Sequence, residues 1–114
     1  MDYHSAEEGP VSKAIDNLPK SEIAEFCRRW RISEMALFGS VLRDDFRADS
    51  DIDVLVSFAP GAEWSLFDHV RMEEELGGIL GRKVDLVTRK ALERSRNPVR
   101  REAILSAARI IHAA

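Results

Sequence analysis

The chain has 114 residues, of which 45% are hydrophobic and 32% charged, so it can form one domain with a modest core. Its formal net charge of −3 gives no overall attraction for nucleic acid, because proteins that bind through phosphate contacts are normally basic. Cys27 is the only cysteine, which excludes an intramolecular disulfide. We find no signal peptide and no apolar run near the roughly 20 residues that span a bilayer, so we expect a cytoplasmic protein without membrane contact.

The first part of the chain divides into a leader and a helix. Residues 1–12 lack periodicity and include Gly9-Pro10, so we interpret residues 1–19 as a flexible leader and residues 20–114 as a single domain. Ser21 is a suitable N-cap for a helix over residues 21–31. The apolar residues of this segment recur at helical spacing and should face the core: Ile23, Phe26, Cys27 and Trp30.

Two strands are predicted next. The short apolar run at residues 35–38 ends at Gly39-Ser40, which is typical of a buried strand that stops at a turn. A polar segment follows, and residues 51–58 then alternate between two faces. Because the connection between these strands is short and non-helical, we expect them to form a hairpin-like pair.

A helix, a third strand and a last helix complete the predicted elements. Ser65 and Asp68 are spaced as a capping box, and Gly81 is well placed to end the helix that they start. Within that helix, Gly77-Gly78 costs helix propensity and indicates a close packing contact. Residues 83–88 form the third strand. Asn97-Pro98 should start a last helix, whose packed residues are Val99, Ile104, Ala107, Ala108 and Ile111.

The order helix, strand, strand, helix, strand, helix predicts an α+β fold in two layers. A small mixed β-sheet with helices packed on one face satisfies this order most simply.

Asp51 and Asp53 are the residues that most need an explanation. At this spacing on a strand both side chains project from one face, with Cα atoms roughly 6.5–7 Å apart. Two carboxylates held so close repel each other unless a cation lies between them. Carboxylate oxygens suit Mg²⁺, which fills its remaining positions with water and substrate phosphate.

Three further features fit a phosphate-handling site. Asp85 is central in the third strand and joins the acidic pair if that strand lies beside residues 51–58. Three acids around two metal ions about 3.5–4 Å apart could support phosphoryl or nucleotidyl transfer. Gly39 and Ser40 follow a strand at a sharp turn and could bind phosphate through main-chain N–H groups and a hydroxyl, while Arg43 could add positive charge.

Each feature taken alone has an ordinary structural interpretation. A Gly-Ser dipeptide after a strand is usually a turn, an Asp-x-Asp pair is usually a solvated strand end, and Asp85 could be an exposed acid on an edge strand. The combination is less easily explained by chance, because a turn ends one strand, an acidic pair opens the next, and a third acid lies on a later strand.

The segments Leu37-Phe38-Gly39-Ser40 and Asp49-Ser50-Asp51-Ile52-Asp53-Val54-Leu55-Val56 resemble the signature of the DNA polymerase β-like nucleotidyltransferase superfamily. The short chain is most similar to the minimal nucleotidyltransferases, the MNT or MntA-like domains, over about residues 20–112. The resemblance implies that Asp51, Asp53 and Asp85 hold two Mg²⁺ ions, with Asp85 helping to activate the attacking hydroxyl. It also implies that Gly39, Ser40 and Arg43 bind ATP as the nucleotide substrate.

The resemblance further implies an antitoxin partnered with a HEPN-domain ribonuclease toxin, in a homo- or hetero-oligomer. Such an enzyme transfers AMP to a hydroxyl of the partner protein. The alternative is a weak or inactive enzyme that neutralises its partner by stoichiometric binding. Val41 and Asp44 depart from the family pattern, which commonly has Arg and Gly at these two places, and Asp44 adds negative charge where triphosphate should bind.

Positive charge is concentrated in residues 82–101. The simpler interpretation is a solvated face whose arginines and lysines pair with acids such as Glu93 and Glu102. The functional alternative is a surface that guides ATP or an acidic partner towards the site. Nucleic acid is a third and weaker candidate.

Overall fold

A computed structural model describes residues 18–39 and 51–114. Four helices and four strands are found in these two ranges. In chain order they are α1 (Lys20–Arg29), β1 (Ile32–Phe38), β2 (Ile52–Phe58), α2 (Leu66–Leu80), β3 (Val84–Thr88), α3 (Arg89–Glu93), α4 (Pro98–Ala107) and β4 (Arg109–Ala113). The proposed leader falls almost wholly outside the described ranges. None of the helices in these ranges is long and apolar enough to cross a membrane.

The four strands form one mixed sheet in the order β3-β2-β1-β4. Strand β2 runs antiparallel to β1, as expected for strands joined by a short connection, and parallel to β3, which it reaches through α2. Strand β4 runs antiparallel to β1 on its other side. The predicted α+β class and the small mixed sheet are therefore confirmed, with one strand more than the sequence indicated.

The sheet separates two apolar clusters. Alternate residues of β1 and β2 point to opposite faces, so each face of the sheet contributes to its own cluster. The larger cluster packs α1 and α2 against the sheet, and its most buried members are Phe26, Cys27, Met35, Val54, Val56 and Leu76. The smaller cluster packs α3 and α4 against the opposite face and contains Ala36, Phe38, Leu55, Leu92 and Ile104. The expectation that helices cover one face therefore needs correction, because the chain after β3 turns back over the other face.

Three of the predicted helix ends are confirmed. The Ser65 hydroxyl accepts a bond from the Asp68 N–H at 3.1 Å, and the Asp68 carboxylate accepts one from the Ser65 N–H at 2.9 Å. Gly81 ends α2 in the left-handed conformation, with φ 71°. Asn97 caps α4 by accepting the Arg100 N–H at 3.0 Å. The assignment of Ser21 as a cap was wrong, because α1 begins one residue earlier and Pro19 occupies its N-cap.

The last predicted helix is shorter than expected. It ends at Ala107, and Ala108 is already extended, so Ile111 belongs to β4 instead of α4. The β-branched pair Ile110-Ile111 favours a strand, and β4 covers the edge that β1 would otherwise expose. Val99 is 78% exposed and does not pack, which also contradicts the prediction.

The adjacent glycines of α2 should respond in opposite ways to alanine. A Cβ at Gly77 would lie 2.9 Å from the main-chain oxygen of Arg82, whereas nothing lies within 4 Å of a Cβ at Gly78. Gly77→Ala should lower the free energy of unfolding by about 1–3 kcal/mol, because backbone must move. Gly78→Ala should raise it by about 0.5–1 kcal/mol through helix propensity. Urea denaturation of both variants measures the difference, and effects of the same sign would contradict this account.

Candidate active site

Asp53 and Asp85 lie side by side in the sheet. They are register partners in the parallel pair of β2 and β3, so their Cα atoms are one strand spacing apart, about 4.8 Å, and their side chains project from the same face. Asp53 is half-buried and Asp85 is exposed. The strand pairing on which the assignment of Asp85 depended is therefore present, while its chemical role stays a prediction.

Asp51 immediately precedes β2 and is exposed. The N–H of its neighbour Ile52 donates to the Lys83 carbonyl at 2.9 Å, which joins the start of β2 to the chain just before β3. The three acids consequently belong to one end of the sheet, where β2 and β3 both begin. The negative charges of the three carboxylates add at this end of the sheet, which favours the binding of a cation there.

Gly39 is held against Asp53. It follows β1 with φ +79°, a left-handed conformation that favours glycine. A Cβ at this position would collide with Oδ2 of Asp53, and would also lie 3.0 Å from its Cγ. The absence of a side chain at Gly39 thus lets the turn after β1 approach the carboxylate, which is the reason for glycine that the sequence alone could not supply.

The wall of the site on the β1 side is apolar. Phe38 is the register partner of Asp53 on β1, so Asp53 lies between an aromatic residue on one strand and Asp85 on the other. Phe38 belongs to the smaller apolar cluster, together with Leu55 and Ile104. This packing against α4 supports the strand from which Asp53 projects.

Ser40 and Arg43 lie outside the described residues, as do Val41 and Asp44. Of the predicted site residues, the structure therefore brings together Gly39 with Asp53 and Asp53 with Asp85, and places Asp51 at the start of the same strand. The predicted contribution of Ser40 and Arg43 to nucleotide binding stays a prediction.

The carboxylates at this end of the sheet suit a Mg²⁺ site in which the protein supplies only some of the ligands. Among residues 18–39 and 51–114, no group of three Asp, Glu, His or Cys side chains comes close enough to form a ready-made metal cage. Mg²⁺ does not need such a cage, since it usually takes one or two protein carboxylates and completes its shell with water and substrate phosphate. Carboxylates on adjacent strands, at an end of the sheet where Asp51 and Asp85 are exposed, match that requirement.

Thiol chemistry is excluded at this site. Cys27 is fully buried in the larger cluster, on the face of the sheet opposite the acids. Burial raises the pKa of its thiol to about 11, so the nucleophilic thiolate is scarce at neutral pH.

Arg89, within the basic segment of residues 82–101, lies away from the acids. Arg89 follows the carboxyl end of β3, four residues beyond Asp85 and thus about 13 Å along the strand. Its guanidinium pairs with Glu93 at 3.3 Å and with Glu34 at 3.8 Å. For this residue the structure favours the simpler interpretation, a solvated and paired surface charge.

One residue near the site gave no signal in the sequence. Glu73, on α2, accepts a hydrogen bond from the main-chain N–H of Leu86 at 2.8 Å, next to Asp85. It lies among other acids on an amphipathic helix, so spacing alone could not distinguish it from Glu74.

Residues 20–111 match the family model described as the nucleotidyltransferase domain. The chain belongs to this family. It is 34% identical to the protein adenylyltransferase MntA of Thermococcus cleftensis, with 69% of this chain and 78% of that protein covered. It is also 35% identical to a protein of Methanocaldococcus jannaschii that is provisionally named a protein adenylyltransferase, with 74% of this chain and 89% of that protein covered.

Solved structures agree with this assignment. One solved structure, provisionally named a minimal nucleotidyltransferase, is 38% identical and has a TM-score of 0.58. The match covers 78% of this chain and 85% of that one. Another, a toxin–antitoxin complex with AMP-PNP, has a TM-score of 0.64 over 85% of this chain and 75% of its own, and at 21% identity it shows the fold alone. The resemblance to minimal nucleotidyltransferases and the enzyme class are thereby confirmed.

Proposed function

We propose that this nucleotidyltransferase transfers AMP from ATP to a hydroxyl of a partner protein, and that it is the antitoxin of a HEPN-type toxin. The observation that carries the proposal is the pairing of Asp53 with Asp85 beside Gly39, because it places two carboxylates that could hold Mg²⁺ next to the glycine that follows β1. The protein adenylyltransferase names of the relatives support the choice of AMP and of a protein acceptor.

Asp51, Asp53 and Asp85 would hold Mg²⁺, with two ions as the expected number. When bound, the metal would stabilise the negative charge that develops on the transferred phosphoryl group. Gly39, Ser40 and Arg43 would bind the triphosphate. A carboxylate oxygen of Asp85 would accept the proton of the attacking hydroxyl, a role that suits its exposed position. As the hydroxyl oxygen bonds to the α-phosphorus of ATP, the bond from that phosphorus to the β-phosphate oxygen breaks and pyrophosphate leaves.

The exposure of the acids supports a large acceptor. Asp51 and Asp85 are both exposed, so a hydroxyl on the surface of another protein can reach them without entering a deep cleft. A hetero-oligomer with the acceptor protein would hold that hydroxyl in place, which contributes much of the rate advantage of such reactions.

Incubation with Mg²⁺ and ATP should add AMP to the HEPN-domain partner protein. We expect label from the α-phosphate of ATP, but not from the γ-phosphate, to appear on the partner, with a mass gain of one AMP per modified hydroxyl. Transfer should continue at far less than one equivalent of this chain, because a catalyst turns over. EDTA should stop it.

The same titration tests the binding alternative. If the partner is neutralised only by a full equivalent of this chain, and no nucleotide yields a mass gain, the protein is a stoichiometric antitoxin and the proposed transfer is wrong. The Asp53→Asn variant is the matched control, since it should still bind the partner.

A further inference from the structure

Strand β3 is at the edge of the described sheet, and one of its main-chain N–H groups that point away from β2 is bound by a side chain of α2. Within residues 18–39 and 51–114, β3 pairs with β2 alone, so every second N–H of β3 points away from the sheet. The N–H of Leu86 donates to Oε2 of Glu73 at 2.8 Å. A carboxylate acceptor makes this a charge-assisted bond, which is stronger than a neutral one.

The bound N–H belongs to the peptide group that follows Asp85. Because that group is planar, fixing the N–H of Leu86 also fixes the orientation of the Asp85 carbonyl and limits rotation about the Asp85 backbone. Leu86 is only 3% exposed, and its side chain anchors the same point of β3 in the larger cluster. Together these contacts keep the Asp85 side chain beside Asp53, on the face of the sheet opposite the Leu86 side chain.

Glu73 is itself held firmly. Its neighbour Met72 is 1% exposed and packs in the larger cluster, as does Leu76, which is fully buried one turn further on. His69, one turn earlier, places Nε2 3.6 Å from Oε2 of Glu73. The Glu73 carboxylate is therefore presented to β3 from a rigid helix.

We propose that Glu73 is a positioning residue for Asp85: it fixes the edge strand so that the Asp85 carboxylate stays beside Asp53. This inference rests on the proposed role of Asp85 in holding Mg²⁺. Glu73 lies outside the predicted ligand set and acts through the Leu86 peptide. Residues that orient metal ligands in this way typically change metal affinity by about 10–100-fold when removed.

Three variants of the full chain test the proposal. Glu73→Ala removes the acceptor, Glu73→Gln retains an oxygen that can accept from Leu86, and Glu74→Ala removes the adjacent exposed acid as a matched control. Mn²⁺, a spectroscopic stand-in for Mg²⁺, is titrated without nucleotide and followed by electron paramagnetic resonance. We expect Glu73→Ala to weaken Mn²⁺ binding by about tenfold or more, Glu73→Gln to restore most of it, and Glu74→Ala to leave it unchanged.

Amide hydrogen exchange reports the local structure separately. Exchange at Leu86 should quicken in Glu73→Ala and remain slow in the other two variants. The proposal is overturned if Glu73→Ala binds Mn²⁺ as tightly as the unchanged chain, or if Glu73→Gln and Glu74→Ala weaken binding as much as Glu73→Ala does.

Asp85→Asn separates the two ways in which the idea can fail. If Asp85→Asn leaves Mn²⁺ affinity unchanged, the proposed metal role of Asp85 is wrong and the positioning role is wrong with it. If Asp85→Asn weakens binding and Glu73→Ala does not, only the positioning role is wrong.

Discussion

Asp53→Asn should abolish nucleotidyl transfer while the protein remains folded. Asp53 lies at the centre of the site, with Asp85 beside it on β3, Phe38 on β1 and Gly39 against its carboxylate. Asparagine has nearly the same shape but lacks the negative charge that would hold a metal ion. Metal ions contribute several kcal/mol to such reactions, so we expect a rate loss of roughly a thousandfold or more. Transfer of α-phosphate label to the partner protein measures it.

Glu34→Gln is the control for this substitution. Glu34 pairs with Ser57 in the register of β1 and β2, at the end of the sheet opposite the acids, so loss of its charge should leave transfer unchanged. Asp53→Asn should unfold in EDTA at a temperature close to that of the unchanged chain, which separates lost chemistry from lost structure. Retention of more than about a tenth of the activity would contradict the assignment of Asp53.

The pairing of Asp53 with Asp85 could be predicted because it depends on local patterns. The alternation of residues 51–58 places Asp51 and Asp53 on one face, and a strand reached through a helix is expected to run parallel. Both patterns are properties of short segments. They made the approach of Asp85 to the acidic pair conditional on the third strand lying beside the second, and the register of β2 and β3 meets that condition.

The end of the chain could not be predicted in the same way. Ala107-Ala108 favours helix and Ile110-Ile111 favours strand, so local preference is divided across only a few residues. The open edge of β1 decides the outcome, since β4 pairs along it. That edge exists only once the sheet has formed. Local sequence preference could not reveal the role of Glu73 either, because its hydrogen-bond partner Leu86 is 13 residues away on another element.

The sequence predicted the turn at Gly39, but only the structure shows why this position needs glycine. The pattern of a strand ending at Gly-Ser predicted a turn, and the positive φ of Gly39 confirms that a special conformation is needed. The approach to Asp53 is a tertiary contact between β1 and β2, and no spacing rule reveals it. Gly39 and the Asp53 carboxylate are therefore in direct contact, so we expect a side chain added at Gly39 to displace the carboxylate.

Gly39→Ala should consequently reduce transfer by about a hundredfold or more, because a displacement of about 1 Å at a reacting group can cost that much. The new Cβ would collide with Oδ2 of Asp53 and force the carboxylate or the turn to move. The left-handed φ adds a strain of roughly 1–2 kcal/mol to the folded state. The initial rate of α-phosphate transfer and the free energy of unfolding in urea measure the two effects.

Gly61→Ala separates the collision from the strain. Gly61 has a similar φ of +85°, but nothing lies within 4 Å of a Cβ added there. Both variants should therefore lose stability through backbone strain, whereas only Gly39→Ala should lose activity. If the two lose activity equally, the effect of Gly39→Ala is a general loss of stability, and the contact with Asp53 is not what makes glycine necessary. If Gly39→Ala alone is inactive and its Mn²⁺ affinity also falls, the turn after β1 determines where the Asp53 carboxylate lies.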